Sequence, residues 1–116
     1  MVNKYKGVAE IEILGEVRGF KFGTAAMAQL CQLEKCGLTE VSKRLENADE
    51  NLGTQLNFYY TAAYQYSKLN KKEPPTFEEV ANWIDSMVYE QKDALNKAAF
   101  ATYDDPNAQA PETGQP

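Results

Sequence analysis

The segment from Val8 to Gly37 most constrains the fold, because it combines an alternating pattern, a tight turn and a helix start. Between Val8 and Phe22 apolar and polar residues alternate, which is typical of two half-buried strands. Gly15-Glu16 fits the two central positions of a type II′ turn, so we predict a β-hairpin. The resulting register places Leu14 opposite Val17 and Ile11 opposite Phe20.

The two faces of this predicted hairpin differ in polarity. One face is apolar and should meet the core: Ala9, Ile11, Ile13, Phe20 and Phe22. On the other face Glu10 lies opposite Lys21, an attractive cross-strand pair. Arg18 falls on the apolar face near the turn, where its stem can lie on the core edge while its head reaches solvent.

Two helices are predicted after the hairpin. Thr24 is a suitable N-cap for the first helix, and Gly37 a suitable residue to end it. Its apolar stripe would be Met27, Leu30, Cys31 and Leu33. A shorter helix capped by Thr39 would follow, with Val41 and Leu45 on one face.

The longest predicted helix spans residues 50–70 and carries more aromatic surface than one face can hide. Its main stripe is Leu52, Leu56, Tyr59, Ala63 and Tyr66, and outside that stripe lie Phe58, Tyr60 and Tyr64. Two interpretations stay open. The helix is buried on several sides, or its outer aromatic residues contact another chain.

The next helix has the clearest start in the chain. After the rigid break at residues 71–75, Thr76 and Glu79 match a capping box. Helical spacing follows in Phe77, Val80, Ala81, Ile84 and Val88, with Trp83 and Met87 toward a flank. Trp83 either seals the core edge or belongs to an interface. The helical pattern extends to about Ala101, with a bend near Ser86.

Together these elements predict an α+β, mainly helical fold: an N-terminal β-hairpin followed by four to five helices. Residues 1–103 would form one domain. Residues 104–116 are rich in proline and lack large apolar side chains, which predicts a disordered tail.

Charge and hydropathy narrow the partners. A net charge of −5 and a pI near 4.7 disfavour a nucleic-acid partner. The one basic cluster, Lys68, Lys71 and Lys72, fits a helix C-terminus. No apolar run approaches a membrane span, and residues 1–6 do not read as a secretory signal, so we expect a cytoplasmic protein without a membrane partner.

Residue chemistry gives no support to an enzyme. The chain has no histidine, and its two cysteines, Cys31 and Cys36, are expected to be free thiols. The carboxylate pairs fit solvated positions: Glu10 with Glu12, Glu78 with Glu79, and Asp104 with Asp105. Glycine-rich nucleotide motifs are missing. We therefore predict no catalytic, cofactor, metal or small-molecule site.

The chain resembles the tail assembly chaperones of long-tailed bacteriophages and related gene transfer agents. The resemblance rests on residues 18–23 (Arg-Gly-Phe-Lys-Phe-Gly), on the helix ending at Gly37, on the helix over residues 56–66, and on residues 76–85 (Thr-Phe-Glu-Glu-Val-Ala-Asn-Trp-Ile-Asp). It covers about three quarters of the chain. The many tyrosines of the third helix depart from the family's pattern.

This resemblance implies a non-enzymatic protein that binds the tape measure protein in the host cytoplasm and leaves as the tail tube polymerises. It also implies self-association. On grounds of aromatic area alone, we predict partner-binding residues at Phe58, Tyr60, Tyr64, Trp83 and Met87. The alternatives are a structural virion protein, for head completion or the tail, and a small regulatory module associated with nucleic acid.

Overall fold

A computed structural model describes residues 7–103, with only the backbone described for residues 48 and 100–103. It has a two-stranded antiparallel hairpin followed by five helices, which confirms the predicted fold class. The elements are β1 (Val8–Ile13), β2 (Glu16–Lys21), α1 (Thr24–Glu34), α2 (Leu38–Glu46), a 3₁₀ turn (Ala48–Glu50), α3 (Leu52–Leu69), α4 (Phe77–Ser86) and α5 (Tyr89–Tyr103). The tail predicted at residues 104–116 lies outside the described residues.

The hairpin turn lies one residue earlier than predicted. Leu14 and Gly15 occupy the turn with φ of 54° and 83°, the pair of positive angles typical of type I′. The observed pairs are Val8 with Lys21, Ala9 with Phe20, Glu10 with Gly19, Ile11 with Arg18, Glu12 with Val17 and Ile13 with Glu16.

The predicted register and the predicted Glu10–Lys21 pair are therefore wrong. The error shifts the pairing by two residues. Because side chains alternate with a period of two, the shift leaves every residue on its predicted face. Ile13, Phe20 and Phe22 are accordingly buried, as expected.

One hydrophobic cluster joins the hairpin to the helices. Its fully buried large side chains include Ile13, Phe20, Phe22, Leu30, Val41, Val80 and Leu95. The Phe22 ring lies 5.1 Å from the ring of Phe58 on α3, between centroids. The hairpin therefore contributes to the core that the helices share.

The ends of the first two helices differ from the prediction. Lys35 has left-handed backbone geometry (φ 59°) and ends α1 two residues before Gly37. Gly37 is instead the N-cap of α2, so Thr39 lies inside that helix. Thr24 is the first residue of α1 and not its cap, because Gly23 occupies the N-cap position.

Helix α3 is buried on several sides. It packs against β2, α1 and α4, and its buried residues are Thr54, Phe58, Tyr59, Thr61, Ala62 and Ala63. The single predicted stripe is wrong in two places, because Phe58 is buried and Leu52 is exposed. A helix surrounded on several sides does not follow a one-face pattern.

The capping box of α4 is confirmed. The Glu79 backbone N–H donates to Thr76 Oγ1 over 3.1 Å, and the Thr76 backbone N–H donates to Glu79 Oε1 over 2.8 Å. We predicted one helix with a bend near Ser86, and this prediction is wrong. Helix α4 ends at Ser86, and the extended backbone of Met87 separates it from α5. Because of this break, Met87, which we predicted toward a flank, is buried. Val88, which we predicted in the apolar stripe, is exposed.

Candidate functional site

Four strongly exposed apolar side chains lie at the hairpin turn and at the start of α5. They are Leu14 (62% exposed), Val17 (68%), Val88 (57%) and Tyr89 (78%), and we call them the apolar tip. Single exposed apolar residues are normal, but several at one end of a small protein are typical of a protein-binding surface.

The Gln91 side chain holds the two parts of the apolar tip together. Its Nε2 donates to the Glu12 carbonyl oxygen over 2.6 Å, and its Oε1 accepts from the Val88 backbone N–H over 2.8 Å. Glu12 is paired with Val17 across the hairpin. One glutamine thus caps the first turn of α5 and anchors that turn beside the hairpin end.

The charged side chains around the apolar tip are mainly acidic. Glu12, Glu16, Asp85 and Glu90 are exposed at or next to it. Arg18 is close in sequence, but its guanidinium pairs with Glu16 at 3.3 Å. Lys92 lines a small cavity beside Tyr59. The negative charges of Glu12, Asp85 and Glu90 have no such cation among the ion pairs of the described residues.

The predicted partner-binding residues fall into three environments. Phe58 and Met87 are core residues, only 3% and 6% exposed, so neither offers a surface in this fold. Their side chains belong to the hydrophobic cluster. Any contact surface among the five predicted residues must therefore come from Tyr60, Tyr64 and Trp83, which are half-buried.

Trp83 seals the core edge beneath the hairpin. Its ring meets that of Phe20 edge to face, with centroids 6.2 Å apart. The Arg18 guanidinium carbon lies 4.8 Å from the Trp83 ring centroid, a cation–π contact. Arg18 Nε also donates to the Ile13 carbonyl oxygen over 3.1 Å. Arg18 thus covers Trp83, consistent with the core-edge interpretation.

Tyr60 and Tyr64 form a second aromatic group with Phe77. The Tyr60 ring centroid lies 6.2 Å from that of Tyr64 and 6.0 Å from that of Phe77. This group joins α3 to the first residue of α4. Its rings are half-buried or only just exposed, so its free apolar area is smaller than that of the apolar tip.

Sequence reasoning missed the carboxylate of Glu34, which connects three helices. Its Oε1 accepts from Arg44 Nη1 on α2 (2.7 Å) and Thr54 Oγ1 on α3 (2.8 Å), and its Oε2 accepts from Asn57 Nδ2 on α3 (2.8 Å). Burial raises the pKa of Glu34, but hydrogen bonds from Asn57, Thr54 and Arg44 outweigh burial and hold the pKa below its usual value. Its role is to fasten helices.

Tyr66 fastens α3 to the hairpin. Its hydroxyl donates to Glu10 Oε2 over 2.5 Å, and this hydrogen bond, with burial, raises the pKa of Tyr66 to about 12. Its ring lies against Gly19, where a Cβ atom would overlap it. A glycine in the middle of β2 is thus explained by close packing.

A second tyrosine, Tyr59, is buried and fastens α5 to α3. The Tyr59 hydroxyl donates to Asn96 Oδ1 over 2.6 Å and accepts from Gln55 Nε2 over 3.4 Å. Burial raises the pKa of Tyr59. The neutral phenol can therefore bridge the two helices.

An open basic depression of about 350 Å³ lies where β2 meets α1, lined by Lys21, Gly23, Ala25, Ala26, Gln65, Lys68 and Leu69. Lys21 Nζ donates to the Phe22 carbonyl oxygen over 3.1 Å, and burial lowers its pKa. Cys31 and Cys36 are free thiols, as predicted, and both are half-buried. Within residues 7–103 there is no metal-binding group of His, Cys, Asp or Glu, and no helix long and apolar enough to cross a membrane.

Comparison of the chain with protein families, with characterised proteins and with solved structures found no match. The function proposed for this chain therefore rests on the arrangement of its own residues and on the sequence resemblance.

Proposed function

We propose that this chain is a non-enzymatic tail assembly chaperone that binds a tape measure protein during tail assembly in the host cytoplasm. The observation that supports it best is the apolar tip, where four apolar side chains from two elements are each more than half exposed. A chaperone that shields apolar residues of its partner needs such a surface. A hairpin followed by helices also agrees with the sequence pattern behind the resemblance.

The proposal makes binding, and not bond chemistry, the activity of this fold. The well-connected polar side chains of Glu34, Tyr59 and Tyr66 join elements of the fold to one another. The exposed apolar side chains at the tip remain available to a partner. Self-association is part of the proposal, because it is implied by the same resemblance.

The test is co-expression of the chain with its candidate tape measure protein, the long helical protein that the proposal expects an adjacent gene to encode. We expect stable capture, with the otherwise insoluble partner kept in solution, and a mass above that of a monomer by light scattering. No capture together with a strictly monomeric protein would overturn the proposal.

The structural-virion alternative is separated by mass spectrometry of purified particles. A chaperone leaves as the tube polymerises, so its peptides should be missing from finished particles. A structural protein would remain in them in stoichiometric amount.

A further inference from the structure

We infer that the apolar tip binds a basic, amphipathic helical segment of the partner. This inference rests on the proposed function and adds the surface that binds and the chemistry of what it binds. It differs from the sequence prediction, which placed partner binding on the aromatic residues of α3 and α4.

The turn residue Leu14 is both strained and exposed. Its φ of 54° is left-handed, a conformation in which a bulky side chain is strained by roughly 1 kcal/mol and in which Asn or Gly is usual. At 62% exposure, Leu14 recovers little of this through burial in its own fold. A strained, exposed leucine is better explained by a contact with another molecule.

The four residues of the apolar tip come from two elements that a side-chain hydrogen bond joins. Other exposed apolar residues lie at or near helix ends: Leu33 at the end of α1, Leu38 at the start of α2, Leu52 and Leu69 at the two ends of α3, and Phe77 at the start of α4. At the apolar tip, by contrast, Gln91 holds the start of α5 against the hairpin through the Glu12 carbonyl. Leu14, Val17, Val88 and Tyr89 therefore lie at one end of the molecule, where one ligand can contact both elements.

The acidic residues near the apolar tip indicate that the partner segment is basic. The exposed acidic residues next to the tip in the chain are Glu12 and Glu16 of the hairpin, Asp85 near the end of α4 and Glu90 in α5. The nearby cations are Arg18, paired with Glu16, and Lys92, beside Tyr59. A basic partner would neutralise Glu12, Asp85 and Glu90. A second copy of this chain, with net charge −5, would be a poorer match.

An amphipathic helix can offer both an apolar stripe and positive charges to the tip. Its apolar stripe can cover Leu14 and Tyr89, while Lys or Arg on the flanks of the stripe reach Glu12 and Glu90. The expected ligand is therefore a segment of about 20 residues with leucine-like residues at helical spacing and a net positive charge.

The experiment measures capture of the adjacent gene's product by the full-length chain and by two double variants. The tip variant is Leu14→Asn with Val88→Ser, and its control is Leu38→Asn with Leu52→Ser, whose parent side chains are 56% and 63% exposed. We expect the tip variant to bind about tenfold or more weakly, as for lost burial of two apolar side chains, and the control to bind like the wild type. Thermal melting verifies that both remain folded.

A second pair of variants tests the charge. Glu12→Lys with Glu90→Lys should weaken capture about tenfold at low salt, whereas Glu46→Lys with Glu50→Lys, elsewhere on the surface, should change it little. On an array of overlapping segments from the same partner, the labelled chain should bind segments with net positive charge.

Each outcome is decisive. Capture by the wild type that the tip variant retains, or binding to neutral or acidic segments, would overturn this inference and leave the proposed function standing. A fall in the protein's own mass in the tip variant would assign the tip to a second copy and would also overturn it. Failure of the wild type to capture the partner would overturn the proposed function and this inference together.

Discussion

The half of the hairpin away from its turn, which we call the base, and the turn itself, at the tip, have opposite roles. At the base, Gly19 lies against the Tyr66 ring and Glu10 accepts the Tyr66 hydrogen bond, so both strands are fastened to α3. At the tip, Leu14 and Gly15 form a turn in which the leucine is strained and exposed. The base is organised for folding, and the tip presents apolar surface beyond what the fold requires.

The largest effect is expected at the base. Gly19→Ala would place a Cβ atom within the Tyr66 ring, and relieving that overlap requires moving the strand or the tyrosine. We expect the free energy of unfolding to fall by about 3 kcal/mol, the upper range for overpacking. Urea unfolding followed by circular dichroism measures the change.

Two further variants verify this explanation of Gly19. Gly53→Ala, in the first turn of α3 with open space around the new atom, should be neutral or stabilising by about 0.5 kcal/mol. Combining Gly19→Ala with Tyr66→Ala should cost less than the sum of the two single changes, because the overlap is removed. Simple additivity would show that Tyr66 is not the obstacle.

The hydrogen bonds of Glu34, away from the hairpin, test whether contacts elsewhere in the fold stabilise it as much as those at the base. Glu34→Ala removes three hydrogen bonds and leaves Thr54 and Asn57 without their acceptor, so we expect a loss of about 2 kcal/mol in unfolding free energy. Glu40→Ala is the matched control, because Glu40 pairs with the same Arg44 at 3.3 Å but is exposed. It should cost about 0.3 kcal/mol. Equal losses would contradict the role given to Glu34.

The pH dependence of Glu34 follows from the direction of its shift. Its folded pKa is lower than the ordinary value of 4.5, so its stabilisation is fully present above pH 4.5 and is lost as the pH falls through the folded pKa. In Glu34→Gln this group cannot titrate. The stability difference between wild type and variant should therefore shrink with acidification, as measured by urea unfolding at a series of pH values.

The sequence pattern predicted which face of each hairpin strand is buried, but it misplaced the turn. Alternation from Val8 to Phe22 is a local signal, and it gave the buried face correctly. The turn was misplaced because Gly15 fits the first position of type II′, and a leucine in left-handed geometry gives no turn signal. The feature that marks the tip is thus a departure from local preference, which pattern reasoning does not find.

Polar contacts between residues far apart in the chain could not be predicted from the sequence either. Glu34 is separated from Thr54 and Asn57 by 20 and 23 residues, and only the packing of α1, α2 and α3 brings them together. By contrast, Thr76 and Glu79 form a contact within one helical turn, and their capping box was predicted correctly. The candidate partner surface also depended on burial, which removed Phe58 and Met87 from it.

A smaller effect separates the hydrogen bond at the base from the packing there. Tyr66→Phe keeps the ring against Gly19 but removes the hydroxyl that bonds Glu10, so we expect a loss of about 1 kcal/mol near neutral pH. The pKa of Tyr66 is raised from 10.0 to about 12, so the stabilisation is fully present below pH 10 and is lost as the pH rises through about 12. Absorbance titration of tyrosinate should lose its highest step in the variant. An unchanged titration would contradict the assignment.

The smallest effect has the opposite sign and belongs to the tip. Leu14→Asn replaces a bulky residue in left-handed geometry by one that tolerates it, so we expect the free energy of unfolding to rise by about 0.5 kcal/mol. Gly15→Asn is the internal comparison, since Asn also tolerates the φ of 83° there and should change stability little. Paired urea titrations resolve the difference. A loss above about 1 kcal/mol for Leu14→Asn would show that Leu14 packs within its own fold. Greater stability with weaker capture would instead separate folding from binding at a single residue, because the leucine would then strain the turn while serving the contact with the partner.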